Sequence, residues 1–292
     1  MSSIQSSELI TNEDGSIFHL HLLPEDLAEN VILVGDPGRV ETIASYFEKT
    51  EIRKSNREFY TVTGLCHGKR LSVISTGIGP DNIDIVINEL DALVNIDLQT
   101  KEIKQQKKSL NIVRIGTSGS VQADIPVDSF VISEKSIGCD GVLRFYRDNS
   151  RICDREFEEA FIKHCNWTQQ AARPYVVNSS EQLVRKLHTE GQTIKGITLT
   201  AVGFYGPQGR ILRLPLAMPG INDRITAFRY GPYKVTNYEM ESAAITGLCN
   251  LLGHHAATIC LIIANRMNGD ASADYHGYMK KLIEYTLTQL TK

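Results

Sequence analysis

The stretch Val31-Ile32-Leu33-Val34-Gly35-Asp36-Pro37-Gly38-Arg39-Val40 is the part of this sequence that decides the fold class. Four consecutive apolar residues are typical of a strand that is buried on both faces, and Gly-Asp-Pro-Gly is a turn sequence. A helical pattern follows from about residue 39 to residue 47. A buried strand, a tight turn and a helix in this order predict an α/β protein.

Short apolar runs alternate with amphipathic stretches along the rest of the chain. Further strands are predicted at residues 59–65, 71–75, 111–115, 129–133, 197–202 and 256–264, and further helices at 82–94, 156–164, 180–189, 240–252 and 275–290. The polar segment 97–108 is expected to be an exposed helix extension or a loop. We expect one α/β domain over residues 1–292, with a mixed, mostly parallel sheet and a flexible N-terminus at residues 1–16.

The composition excludes several classes of protein. The chain has 292 residues, of which 42% are hydrophobic and 22% charged, as in soluble globular proteins. A net charge of −3 argues against broad nucleic-acid binding. No secretory pattern and no apolar run of about 20 residues is evident, so we expect a cytoplasmic protein that does not enter membranes. The six cysteines are scattered without metal-ligand spacing, and neither a metal nor an organic cofactor is expected.

Two segments indicate anion binding. Gly35 and Arg39 lie where a strand ends and a helix begins, and the free N–H groups of such a junction attract anions. The simpler interpretation is a tight turn with a solvated arginine. Arg114 interrupts the apolar strand Asn111–Ile115, and burial of an unpaired charge costs several kcal/mol. Arg114 must therefore pair with a structural carboxylate or meet a bound anion, and Thr117 follows it with further donors.

Three other segments carry polar groups suited to binding a small polar ligand. Arg57 precedes a strand and either forms a surface ion pair with Glu58 or joins Arg39 and Arg114 around a phosphate. The segment 237–244 is expected to begin a helix, and one of its carboxylates can accept hydrogen bonds from a vicinal diol such as that of ribose. In 203–210, Gln208 and Arg210 present an amide and a guanidinium that complement a planar imide.

Taken in order, these segments resemble the nucleoside phosphorylase-I family, and within it the members that cleave uridine. The motifs are Phe18-His19-Leu20, Gly35-Asp36-Pro37-x-Arg39-Val40, Arg57-Glu58-Phe59, Ser75-Thr76-Gly77-Ile78-Gly79, Arg114-Ile115-Gly116-Thr117, Phe204-Tyr205-x-x-Gln208-x-Arg210, Tyr238-Glu239-Met240-Glu241-Ser242 and Asn265-Arg266. The resemblance runs from about residue 18 to the C-terminal helix. It implies a single α/β domain with a central twisted mixed β-sheet flanked by helices, assembled as a homodimer or a homohexamer with sites shared between subunits.

The resemblance also implies a role for each motif. Phosphate would be held by Gly35, Arg39, Arg114 and Thr117, with Arg57 from the neighbouring subunit. Ribose would be held by Met240 and Glu241, with the neighbour's His19 near the 5′-hydroxyl. Uracil would lie against Phe204 and bond to Gln208 and Arg210, with Arg266 in support. Arg114, Gln208 and Arg210 would act in catalysis.

The implied reaction is the reversible phosphorolysis of uridine, or of other pyrimidine nucleosides, with inorganic phosphate as co-substrate. Asn265 stands where purine-cleaving relatives carry an Asp that protonates the base, which disfavours purines. The run Gly77–Asn82 departs from the Gly-Gly-Pro-Ser-like run with which some relatives build a monovalent-cation site, which weakens the case for such a cation. The alternatives are a purine or broad-specificity phosphorylase, a hydrolytic nucleosidase of the same fold, and a non-catalytic nucleoside-binding protein.

Overall fold

The strand predicted at residues 31–34 is β1 (Asn30–Val34) in the computed structural model of the protein, which describes residues 3–292. The other strands are β2 (Lys49–Asn56), β3 (Phe59–Cys66), β4 (Lys69–Ser75), β5 (Ile96–Asp97), β6 (Glu102–Ile103), β7 (Asn111–Ser120), β8 (Phe130–Gly138), β9 (Tyr175–Asn178), β10 (Thr193–Thr200), β11 (Arg229–Tyr230), β12 (Tyr233–Glu239), β13 (His255–Asn265) and β14 (Asp270–Ala271). The α-helices are α1 (Pro37–Ala44), α2 (Pro80–Asn95), α3 (Arg155–Cys165), α4 (Glu181–Leu187), α5 (Ile221–Ala227), α6 (Ser242–Leu252) and α7 (Tyr275–Thr291). All the strands and helices predicted above are present, with shifted boundaries.

The large sheet has the strand order β11-β12-β10-β8-β13-β7-β1-β4-β3-β2, with β9 added beside β8 and β14 beside β13. Strand β12 pairs with β7 as well as with β10, through Asn237 opposite Ser120 and Tyr238 opposite Gly119. The strands β7, β13, β8, β10 and β12 therefore close into a ring. This closure brings the end of β12 against the second half of β7, where several predicted site residues lie.

The sheet is mixed, as predicted, but its antiparallel part is larger than expected. Parallel pairs join β1 to β4 and β7, β7 to β13, and β10 to β8 and β12. The remaining pairs of the large sheet are antiparallel, among them β2 with β3, β3 with β4 and β8 with β13. The sheet is less parallel than expected because the polar strand β2 and the short strands β9, β11 and β14, which the apolar pattern does not reveal, all pair antiparallel.

Helices cover both faces of the sheet. Leu33 of β1 packs in one core cluster with residues of α2 and α6, while Ile32 and Val34 pack in another with residues of α1, α4 and α7. Alternate residues of a strand point to opposite faces, so burial on both faces requires an uninterrupted apolar run such as Val31–Val34. No helix in residues 3–292 has the length and apolar character needed to cross a membrane.

One boundary differs from the prediction in a way that matters for the site. The segment 237–244 was expected to begin a helix, but Asn237–Glu239 ends strand β12 and α6 starts only at Ser242. Backbone pairing of β12 with β10 and β7 outweighs the local helical preference of this segment. Glu239 and Glu241 consequently lie at a strand end and at a helix cap.

The segment 97–108 is neither a helix extension nor a simple loop, because it contains the short hairpin of β5 and β6. The backbone carbonyl of Lys101 accepts from the N–H of Ile4, and its Nζ donates to the Leu9 carbonyl at 2.9 Å. Leu9 and Ser16 are buried. Part of the segment expected to be flexible is therefore held against this hairpin, through Ile4, Ser6 and Leu9; residues 1 and 2 of the same prediction lie outside the described residues.

Candidate active site

The loops after β1 and β4 lie side by side. The Asp36 carboxylate caps α1 by accepting from the Gly38 N–H at 2.9 Å, as its position before Pro37 favours. A Cβ atom on Gly35 would lie 3.3 Å from the carbonyl oxygen of Gly77, so glycine at this position allows the close approach of the two loops. Arg39 lies in the first turn of α1 and donates to the Ile115 carbonyl at 3.2 Å, which places it beside β7.

Arg114 lies within β7 rather than at its end, because the strand continues to Ser120. Its guanidinium is buried and forms an ion pair with the Glu241 carboxylate, and its Nη1 lies 3.4 Å from Oε2 of Glu239. Of the two sequence-based alternatives for Arg114, the structure thus realises the carboxylate pair, and one partner is the residue assigned to ribose. The Nε of Arg114 has no hydrogen-bond partner among the described residues.

Gly116 makes this placement of Arg114 possible. A Cβ atom on Gly116 would lie 1.9 Å from Nη1 of Arg114, which no side-chain adjustment short of displacing the guanidinium can relieve. The glycine in Arg-Ile-Gly-Thr therefore gives the arginine side chain room to lie flat along its own strand. Thr117, the other residue of this motif, is half-buried on the same strand.

Glu239 is a site residue that the sequence analysis did not identify. Its Oε2 accepts from the N–H groups of Glu241 at 2.8 Å and Ser242 at 2.9 Å, and its Oε1 accepts from the Thr200 hydroxyl at 2.5 Å. Thr200 in turn accepts from the Ala243 N–H at 2.9 Å. Glu239 thus fixes the turn that presents Glu241. The acidic pair in Tyr-Glu-Met-Glu-Ser was visible in the sequence, but Thr200 had no sequence signal.

Glu241 joins the two loops to the buried arginine. One oxygen accepts from the Gly79 N–H at 2.9 Å, and the other accepts from Arg114. Gly79 belongs to the run Gly77–Asn82, so this run holds a site carboxylate in the protein. Among residues 3–292, no group of three or more His, Cys, Asp or Glu side chains is arranged to hold a metal ion. Met240, between the two glutamates, is half-buried.

The pKa shifts of Glu241, Arg114 and Arg39 show the effect of burying several charged groups close together. Burial raises the pKa of Glu241 above its ordinary value, although Arg114 opposes this. Burial by itself lowers the pKa of Arg114, but the charges of Glu241 and Glu239 outweigh it, so the arginine stays cationic. Burial, followed by the charge of Arg114, lowers the pKa of Arg39. A bound anion beside Arg39 and Arg114 would relieve the repulsion between the two cations.

A second cluster forms around Gln208. Its Oε1 accepts from Arg210 at 2.6 Å and from Arg266 at 2.7 Å, and its side chain is buried. The guanidinium of Arg210 lies 3.8 Å from the centre of the Phe204 ring, and that of Arg266 lies 4.8 Å from the Tyr238 ring. Because an oxygen between two guanidinium groups is the only amide orientation that satisfies them, the Gln208 NH₂ is left as a donor for a ligand.

The two clusters lie along one strand. Arg114 covers Gly116, whereas Nε of Arg266 lies 3.8 Å from where a Cβ of Gly119 would be. Three residues of extended strand span about 10 Å, which is the scale of a small molecule with two ends. Burial, followed by the charge of Arg210, lowers the pKa of Arg266 to about 10. One end of the candidate site thus offers a carboxylate beside two cations, and the other offers N–H donors on aromatic rings.

A cavity of about 830 Å³ borders the Gln208 cluster. It lies beneath the segment 202–218 and is lined by Asp140, Trp167, Tyr205, Arg210 and Leu212 among others. Leu212 and Leu214 in this segment are 75% and 76% exposed, and Phe204 is 51% exposed. The segment predicted to bind the base therefore exposes apolar side chains beside this cavity.

Arg57 and His19, both assigned to a neighbouring subunit's site, lie close together on the surface. Arg57 occupies the turn between β2 and β3 with φ of 54° and an exposed side chain. The adjacent Asn56 donates from its side-chain amide to the His19 carbonyl at 2.8 Å. The β2–β3 turn and the N-terminal segment thus present these two residues at one edge of the molecule.

Asn265 is bonded to backbone groups on both sides of its amide. Its Nδ2 donates to the carbonyls of Gln122 at 3.0 Å and Ile125 at 2.8 Å, and its Oδ1 accepts from the N–H groups of Met267 and Asn268. The side chain is buried, and its amide is fully used in holding the turn after β13. Asn265 therefore orders the segment that carries Arg266, and its own amide is not free for a base.

Comparison with known proteins gives a family for this arrangement. The model of the phosphorylase superfamily matches residues 29–286. A uridine phosphorylase of Thermococcus kodakarensis is 29% identical over 273 residues, which cover 91% of this chain and 83% of that protein. The uridine phosphorylase of Escherichia coli is 28% identical over 259 residues, which cover 86% of each.

A solved structure agrees with the sequence comparisons. It is a Trypanosoma brucei nucleoside phosphorylase described as showing uridine phosphorylase activity, with a TM-score of 0.87 and 28% identity. The match covers 97% of this chain and 99% of that one. The sequence and structure comparisons thus identify the same fold, and this fold carries the buried arginine with its glutamates and the Gln–Arg cluster. This chain belongs to the phosphorylase superfamily, among the nucleoside phosphorylases.

Proposed function

We propose that the protein is a uridine phosphorylase, which converts uridine and phosphate reversibly to uracil and ribose 1-phosphate. The observation that carries this proposal is the Gln208 cluster at one end of β7, with Arg39, Arg114 and Glu241 at the other. The names of the relatives described above support the same activity.

The base end of the site suits uracil. Uracil presents two carbonyl oxygens, and the NH₂ of Gln208 and the guanidinium of Arg210 are donors for them. The Arg210 guanidinium stacked on Phe204 defines a flat boundary for a planar ring. When the glycosidic bond breaks, negative charge develops on the base. Two arginines already in place beside Gln208 stabilise that charge without reorganisation.

The sugar end of the site suits phosphorolysis. Glu241 carries lone pairs beyond those used by Gly79 and Arg114, and these can accept from the ribose hydroxyls. Arg39 and Arg114 provide positive charge for phosphate, which attacks C1′ of the sugar within the same pocket. Gly35 and Thr117 add donors for phosphate, Met240 packs against ribose, and the neighbouring subunit adds Arg57 and His19.

The shared edge of Arg57 and His19 supports a homo-oligomer, either a dimer or a hexamer, in which each site is completed by a neighbour. The protein's six cysteines are thiols, five of them buried, which suits the reducing conditions of the cytoplasm.

The experiment that tests this proposal is release of uracil from uridine by the purified protein, with and without inorganic phosphate, and with inosine in parallel. We expect phosphate-dependent release from uridine and little from inosine. Release that does not depend on phosphate would make the protein a hydrolytic nucleosidase, and equal use of inosine would make it a broad-specificity phosphorylase. Tight binding of uridine without turnover would make it a binding protein.

A matched pair of variants locates the activity. Arg210→Ala removes a donor to the departing base and should lower kcat/KM for uridine by about 10²-fold or more. Arg185→Ala removes an exposed arginine of α4 whose ion pair within residues 3–292 is with Glu181, and should retain activity. Equal activities of the two variants would overturn the assignment of the base site.

A further inference from the structure

The Glu89 carboxylate on α2 contacts three groups of the segment His19–Leu20: two backbone N–H groups and one ring nitrogen. Its Oε1 accepts from the His19 N–H at 3.0 Å, and its Oε2 accepts from the Leu20 N–H at 2.9 Å. The same Oε1 lies 2.6 Å from Nδ1 of the His19 ring. This carboxylate is mostly buried and stands in the middle of α2, the helix whose first turn adjoins Gly79 and Glu241.

The contact determines which ring nitrogen of His19 carries a proton. An ionised carboxylate only accepts hydrogen bonds, so Nδ1 of His19 must be the donor. In the neutral ring, Nε2 is then an acceptor, and it makes no hydrogen bond within residues 3–292. The edges of the Phe18 and Phe59 rings, with centroids 4.8 and 6.3 Å away, hold the imidazole plane.

The ring is also held from its backbone. Asn56 donates to the His19 carbonyl, and Glu89 takes the N–H of the same residue. The side chain of His19 remains 28% exposed. The outcome is a histidine that is fixed on three sides, with one acceptor nitrogen directed away from its supports.

We propose that Glu89 is a positioning residue that keeps the proton of the neutral His19 ring on Nδ1 and presents Nε2 as an acceptor, so that the neighbouring subunit's site favours nucleosides whose 5′-hydroxyl can donate. This inference rests on the proposed function. The hydroxyl group of such a substrate donates to Nε2, while the proton on Nδ1 stays with Glu89. A nucleoside without the 5′-hydroxyl leaves Nε2 unpaired.

The test compares uridine with 5′-deoxyuridine in four proteins: wild type, Glu89→Gln, His19→Ala and the double variant. In the wild type we expect kcat/KM to favour uridine by about three- to tenfold, the net worth of one hydrogen bond. In Glu89→Gln, the side-chain NH₂ group faces the N–H donors of His19 and Leu20 and no longer fixes the proton on Nδ1. The ratio of kcat/KM for uridine to that for 5′-deoxyuridine should therefore fall towards one. This ratio should also fall in His19→Ala. The double variant should show the same ratio as His19→Ala, because Glu89 acts only through His19.

Glu181→Gln is the control, because it removes an exposed glutamate whose one ion pair within residues 3–292 is with Arg185. It should keep the wild-type preference. A Glu89→Gln variant that loses activity equally on both substrates would show a merely structural role and would overturn the proposal.

Nitrogen-15 NMR of ring-labelled histidine tests the same unit without turnover. We expect His19 to carry its proton on Nδ1 in the wild type and to lose that preference in Glu89→Gln. A proton on Nε2 in the wild type would overturn the proposal. If the wild type cleaves neither substrate, the proposed function fails, and the NMR result still decides the positioning of His19 by Glu89.

Discussion

Arg114 and Glu241 form a buried ion pair that joins the middle of β7 to the cap of α6. The pair lies between residues far apart in the chain, and Glu239 completes it as a second carboxylate. A residue assigned to phosphate and a residue assigned to ribose are therefore in direct contact with each other. Folding and site formation depend on the same interaction, and this has consequences for every variant of the site.

Arg114→Ala should destabilise the fold as well as weaken the use of phosphate. The substitution leaves Glu239 and Glu241 buried without their counter-charge, which costs about 3–5 kcal/mol. Urea denaturation measures this change in the free energy of unfolding. Arg53→Ala breaks an exposed pair with Glu41 and should cost at most about 1 kcal/mol. Similar costs for the two variants would show that the buried pair contributes no more than a surface one.

Arg266→Ala should impair uridine cleavage through Gln208. Arg266 donates to both the backbone carbonyl and the side-chain oxygen of Gln208, so its loss frees the amide to rotate. We expect kcat/KM for uridine to fall by about tenfold to a hundredfold, within the range seen when one donor is removed. Arg266→Ala and Gln208→Ala should combine to less than the product of their effects, because they act on one unit. Independent, multiplying effects would contradict this coupling.

The affinity for uridine should decrease in acid at a higher pH than an ordinary glutamate would give. Burial raises the pKa of Glu241 above 4.5, and only the ionised carboxylate accepts from both ribose hydroxyls. As the pH falls through this raised pKa, Glu241 takes up a proton and binding weakens. Calorimetry of uridine binding without phosphate excludes the titration of phosphate itself. Affinity that holds constant down to the ordinary glutamate range would refute the assignment.

Asn265→Asp should destabilise the protein without producing a purine-cleaving enzyme. A carboxylate at this position would face the carbonyls of Gln122 and Ile125, to which Asn265 now donates. Two lost donors beside buried acceptors cost about 1–3 kcal/mol each. Thermal unfolding and an assay with inosine measure the two effects. A stable variant that gains inosine cleavage would show that the side chain reaches the base after all.

The thiols should react slowly with maleimides while the protein is folded. Burial raises the pKa of Cys153, the most exposed of the six cysteines, from 9.0 to about 11. Because the thiolate is the reactive form, labelling at pH 8 should be about 100-fold slower than for an ordinary thiol. Labelling in urea supplies the reference, since all six cysteines should then react. Rapid labelling of the folded protein would indicate an open, ionised thiol.

The sequence by itself determined the α/β class, seven of the fourteen strands and six of the seven α-helices in residues 3–292, because apolar runs and helical periodicity are local signals. It also brought out the arginine within β7, since a charge in an apolar run demands a partner. The polar strand β2 and the strand β12 carried no such signal, because their pairing partners lie elsewhere in the chain.

Only the tertiary structure decided how the site residues are used. Closure of β12 onto β7 brings Glu239 and Glu241 to Arg114, and the turn after β13 brings Arg266 to Gln208. The same structure engages Asn265 in backbone hydrogen bonds and gives His19 its carboxylate partner. Hydrogen bonds between residues distant in sequence depend on strand order and chain closure, which no local pattern of residues records.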